Sequence, residues 1–84
     1  MWVVEVAPSA VRALERAQHA DQRRLEVALA GMKLNPFAGD IGRIIGREHW
    51  WRRRVGSWRI IFKVDRAQAI DSVESVVRRS STTY

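Results

Sequence analysis

The spacing of apolar positions changes along the chain, and each change predicts an element. Val3, Val4 and Val6 form a β-rich run before Pro8, which cannot extend a ladder, so residues 2–7 read as a first strand. Ser9 follows as a candidate N-cap. Val11 and Leu14, continued by Ala17 and Gln18, fall at helical spacing and predict a short helix over about residues 10–18. Asp21 is a second candidate cap, and Leu25, Ala28, Leu29 and Met32 sit at i, i+3, i+4 and i+7, the stripe of an amphipathic helix.

Asn35-Pro36 ends that helix, and the stretch through Phe37, Gly39 and Gly42 reads as a loop, with Ile44 and Ile45 packed beneath Gly46. Trp50 to Val55 and Trp58 to Val64 then form two strands around a two-residue Gly56-Ser57 turn, which makes a β-hairpin. Asp65 to Gln68 supply another turn. In the last strand Ile70, Ser72, Glu74 and Val76 alternate with Asp71, Val73, Ser75 and Val77, and it runs into Arg78-Arg79 with Ser80 to Tyr84 as a tail. The predicted order is β-α-α-β-β-β, an α+β fold.

Length confines this pattern to one domain, residues 1–84, because a single core rarely divides below roughly 100 residues. The 46% hydrophobic content excludes a disordered chain. The absence of cysteine removes disulfides, thiolate chemistry and Cys-type zinc sites, and fits a reducing cytoplasm. The apolar runs are far shorter than the roughly 20 residues that cross a bilayer, and the opening residues lack a basic signal-peptide region, so a membrane or secreted protein is not expected.

Charge changes the picture most. Fifteen basic against nine acidic residues leave +6, and only Lys33 and Lys63 among the basic residues are lysines. Such a field attracts polyanions or an acidic protein partner, nucleic acid first; the Arg bias reflects either genome base composition or the suitability of guanidinium for bidentate phosphate recognition. Strand alternation puts Arg52 and Arg54 on one face and Trp51, Arg53 and Val55 on the other. Across the turn, Trp58, Ile60, Phe62 and Val64 form the core row, and Arg59 joins Arg52 and Arg54. Like charges side by side on a sheet are unfavourable unless solvent or an anion screens them, so this face is a candidate anion site. One of Arg78 and Arg79 can reach the same face, and Tyr84 could fold back toward it.

Several arginines about one phosphate, with a phenol nearby, suit RNA cleavage, because preorganised cations stabilise the charge that builds on the phosphate oxygens. Simple phosphate grip and a merely solvated basic face are the competing readings. Trp50, Trp51 and Trp58 could stack on bases or anchor the core, with Trp58 assigned to the core. His19 and His49 lack metal-ligand spacing, no Walker loop is present, and Ser9, Ser57 and Ser72 lack a base and orienter. No metal and no cofactor is expected.

The hairpin Trp51-Arg52-Arg53-Arg54-Val55-Gly56-Ser57-Trp58-Arg59-Ile60-Ile61-Phe62, followed by Asp65 and the ending Val76-Val77-Arg78-Arg79 to Tyr84, resembles the RelE/ParE toxin superfamily. The element order, Pro36 and Gly46 fit the same family, so the resemblance covers nearly the whole chain. It implies two N-terminal helices packed on a small, mostly antiparallel sheet, and a toxin encoded beside an antitoxin. RelE-like members cut mRNA in the ribosomal A site, whereas ParE-like members poison DNA gyrase.

By motif, the resemblance carries substrate and transition-state phosphate binding to Arg52 and Arg54, the developing oxyanion to Arg59, the leaving oxygen to Arg79, and a base or base-stacking role to Tyr84. Arg53 and Arg78 are expected to add phosphate contacts, with Arg53, ill-suited to a core, snorkelling or contacting rRNA. Some members carry Lys on the first hairpin strand, which can lose a proton; Arg stays charged, so Arg52 and Arg54 are not bases. Ser57 and Trp58 replace the commoner Asp and Tyr, and Arg53 stands where an aliphatic residue is common. The expected function is a cytoplasmic, metal-independent, ribosome-dependent mRNA endonuclease that inhibits translation, with a cognate antitoxin, mRNA on the ribosome and 16S rRNA as partners. The alternatives are a gyrase inhibitor and a non-catalytic RNA- or ribosome-binding module.

Overall fold

In the computed structural model, which describes residues 1–78, the chain begins with strand β1 (Val3–Val6), followed by helices α1 (Pro8–Arg16) and α2 (His19–Met32). Four more strands follow: β2 (Ile41–Arg43), β3 (Trp50–Val55), β4 (Trp58–Asp65) and β5 (Ile70–Arg78). They form one sheet in the order β1-β5-β4-β3-β2. Only β1 and β5 run parallel; the other neighbours are antiparallel. The α+β architecture is the expected one, with β2 added.

That short strand lies where the sequence reads as a loop. Three residues centred on Gly42 carry no alternation signal, and Ile41–Arg43 become a strand only through pairing with Trp51–Arg53. Beyond it, Gly46 turns with φ of 83° and Ile45 is 98% exposed, so Ile45 does not pack beneath the glycine. Both helices start earlier than expected. Pro8 occupies the first turn of α1 behind Ala7, the position where its missing N–H costs nothing. Ser9 therefore does not cap; its hydroxyl donates to the Glu74 carbonyl at 3.2 Å. Gln18, not Asp21, precedes α2, and Asp21 sits in its first turn, where a carboxylate complements the helix dipole.

The alternation of β4 is strict, with Trp58, Ile60, Phe62 and Val64 all buried. Ala10 of α1 and Leu25, Ala28 and Met32 of α2 close over this row, and Val73 and Val76 of β5 complete the core. The two β5 residues are three apart, which simple alternation forbids. A bulge resolves this: Ile61 pairs with Ser75 but Phe62 with Val73, leaving Glu74 as the extra residue. Both helices thus cover one face of the sheet, and the other face is open among the described residues.

Candidate nucleic-acid interface

The hairpin places its basic side chains by parity. Trp51, Arg53 and Val55 lie opposite Phe62, Ile60 and Trp58, on the covered face. Arg52 and Arg54 lie opposite Ile61 and Arg59, on the open face, so Arg54 and Arg59 are direct cross-strand neighbours. Gly56, with φ of 57°, takes the first turn position and lets two residues reverse the chain without shifting that register. Arg52 reaches sideways over β2, where a Cβ on Gly42 would come within 2.8 Å of its Nη2. The missing side chain at 42 makes room for that guanidinium.

None of these three guanidiniums has an acidic partner among the described residues, where the one ion pair is the exposed His49–Glu48 contact at 4.0 Å. Arg52 Nη1, Arg54 Nε and Arg59 Nε are shielded from solvent and donate to nothing. Unpaired, partly desolvated cations side by side raise the free energy of the empty face and lower it when an anion arrives. Such an arrangement can hold a phosphate or a carboxylate.

Arg53 and Arg78 are not brought into this cluster. Arg53 faces Ile60 on the covered side, and its guanidinium lies against Gly39, where a Cβ would come within 2.9 Å of Cζ. Arg78 pairs with Trp58 and holds its Cζ 5.6 Å from that indole ring. Arg79 and Tyr84 lie outside the described residues.

A second line of approach has no signal in the residue pattern. A groove of about 410 Å³ runs between α2 and β3, lined by Arg23, Arg24, Val27 and Ala28 on one side and Arg53, Arg54 and Val55 on the other. Arg24 reaches the hairpin turn, its Nη1 3.3 Å from where a Gly56 Cβ would stand. The helical arginines carry no strand parity, so only the packing of α2 onto β3 reveals that they extend the basic surface.

Asp71 is the one buried charged residue among those described, fully enclosed on the covered face with both carboxylate oxygens unpartnered. Its ladder neighbours are Val64 and Val4. Desolvation raises its pKa from 3.8 to about 7. It lies on the wrong face to act on an anion held by Arg54 and Arg59. Histidines do not supply a base there either: His49 sits in a left-handed turn with φ of 67°, and His19 opens α2. No group of three metal-ligating side chains occurs among the described residues, and no described helix is long and apolar enough to cross a membrane.

Residues 4–82 match the family described as "ParE toxin of type II toxin-antitoxin system, parDE". The chain belongs to the RelE/ParE toxin superfamily. Solved structures of the superfamily share its fold at low identity. The archaeal RelE of the RelE–RelB complex from Pyrococcus horikoshii is 20% identical, with a TM-score of 0.85 over 96% of this chain and 98% of that one. The isolated Escherichia coli RelE toxin is 12% identical, with a TM-score of 0.82 over 98% of this chain and 88% of that one. A YoeB/ParE toxin from Agrobacterium tumefaciens is 18% identical, with a TM-score of 0.77 over 93% and 99%. No curated protein matches the sequence. In this RelE/ParE toxin, the open sheet face and the groove behind the hairpin are both basic.

Proposed function

We propose that this toxin is a ribosome-dependent mRNA endonuclease of the cytoplasm, inhibiting translation without a metal or cofactor. The observation that supports this reading is the Arg52–Arg54–Arg59 cluster on the open face, which has no acidic partner among the described residues. The ribose 2′-oxygen attacks the adjacent phosphorus and loses its proton, and the bond to the 5′-oxygen breaks. The products are a 2′,3′-cyclic phosphate and a 5′-hydroxyl, whose oxygen gains a proton.

Arg52 and Arg54 hold the phosphate, and Arg59 stabilises the charge that develops on its non-bridging oxygens. The family resemblance assigns Arg79 to the leaving oxygen and Tyr84 to the base or a stacking role. Tyr84 would need neighbouring cations to lower a phenol pKa ordinarily near about 10. Arg53 and Arg78, on the covered face, are left to rRNA contacts.

The cognate partner is an acidic antitoxin segment that neutralises these surfaces, as RelB accompanies RelE in the archaeal complex. A gyrase-directed activity is the second reading, favoured by the match to the ParE description. In a cell-free translation reaction with a defined mRNA, primer extension is expected to map new 5′ ends inside A-site codons, lost in Arg79→Ala and Tyr84→Phe. Intact mRNA with trapped gyrase–DNA breaks would replace this reading by the second. Intact mRNA without breaks would leave only a binding module.

A further inference from the structure

The four tryptophans divide by face. Trp58 is in the core, and Trp2 and Trp51 meet Phe37 edge-on at 6.0 and 5.3 Å between ring centroids. Trp50 alone lies on the open face, opposite Lys63 and in line with Arg52 and Arg54. It is half-buried, with Arg47 Cζ 5.2 Å and Lys63 Nζ 5.5 Å from its ring centroid.

The backbone under this indole is tied down on three sides. Trp50 N–H donates to the Arg47 carbonyl at 3.4 Å, Ile44 N–H donates to the Trp50 carbonyl at 3.0 Å, and Val64 N–H donates to the His49 carbonyl at 3.0 Å. His49 takes φ of 67° to make that turn. A large aromatic is thus held in place beside two exposed cations, neither of which has an acidic partner among the described residues. Cation–π contacts at exposed sites are weak, so both cations can swing to a phosphate and leave the ring to another occupant.

We propose that Trp50, flanked by Arg47 and Lys63, is a stacking subsite for an unpaired RNA base. The inference rests on the RNA-directed reading above and adds a place where the strand is gripped away from the scissile phosphate. Four residues separate the Trp50–Lys63 rung from the Arg54–Arg59 rung, about 13 Å along the strands, a span that an extended single strand covers in a few nucleotides. An indole face stacks on any base, and the flanking cations neutralise the phosphates beside it.

Fluorescence anisotropy with the whole toxin tests this, using a labelled 2′-O-methyl oligoribonucleotide and a copy with abasic positions. Wild-type protein is expected to bind the intact strand about 10-fold or more tighter than the abasic one. Trp50→Ala and Trp50→Leu should both abolish that preference, and Trp50→Phe should keep most of it. The slope of affinity against salt should stay unchanged in all three, since no cation is removed. Thermal melts identify any variant that fails to fold, and Trp50→Leu preserves the apolar contact area in case alanine does not. Equal binding of both strands by wild type, or a preference kept in Trp50→Leu, would overturn the subsite. If A-site cuts still occur in translation, the endonuclease reading survives that failure; if the wild type binds neither strand and cuts nothing, both fall.

Discussion

The two faces of one hairpin carry similar residues to opposite ends. On the covered face, Trp51, Arg53 and Trp58 are drawn into packing, with Arg53 laid against Gly39 and Arg78 over Trp58. On the open face, Trp50, Arg52, Arg54 and Arg59 have no acid beside them among the described residues, and Arg54 also borders the groove along α2. Residue type alone does not separate these groups. What separates them is a one-residue step along a strand, which moves a guanidinium from the helix-covered face to the open one. Stability belongs to the first face, and chemistry is proposed for the second.

Adjacent residues of β4 give the sharpest contrast. Phe62→Ala, on the covered face, should cost about 3–5 kcal/mol and leave so small a domain largely unfolded in a denaturant titration. Ile61→Ala, its neighbour on the open face, should cost less than about 1.5 kcal/mol. Comparable losses would mean that the open face is also packed.

Asp71 tests the covered face from within. Its folded pKa is raised, so between about 4 and 7 the folded protein holds a proton that the unfolded chain has released. Stability should therefore fall as pH rises through that window, by at most about 1.4 kcal/mol per unit, and level off above it. Asp71→Asn should remove the slope and melt higher than wild type at pH 8. A slope that persists in Asp71→Asn would assign the effect to another group.

The smallest expected effect concerns Gly42. Its Cα lies under the Arg52 guanidinium, the flexible end of a long side chain that can move by a few tenths of an ångström or more. Gly42→Ala should leave the melting temperature within a degree or two and lower cleavage by about a few-fold, through displaced phosphate binding. An unchanged rate would release Arg52 from that position.

The hairpin is legible in the residue pattern alone. Strict alternation in Trp58–Val64 and the two-residue turn assign Arg52, Arg54 and Arg59 to one face and Trp58 to the core, because a period of two leaves no freedom once one face is buried. Three features escape that pattern. Strand β2 exists only through its partner, so three residues around a glycine carry no signal of their own. The bulge at Glu74 shifts the parity of β5, which no local pattern announces. Arg23 and Arg24 join the hairpin through the packing of α2, a contact between residues about thirty apart in sequence. The roles of Arg79 and Tyr84 come from family resemblance, and both residues lie outside the described ones.

The central claim is that the open face carries the cleavage chemistry and the covered face does not. Single-turnover A-site cleavage on programmed ribosomes, measured for Arg59→Gln against Arg53→Gln, tests it directly. Open-face catalysis predicts a loss of about 10²–10³-fold in rate for Arg59→Gln with an unaltered melting temperature, and less than about tenfold for Arg53→Gln. Equal losses in the two variants, or a larger one in Arg53→Gln, would contradict it.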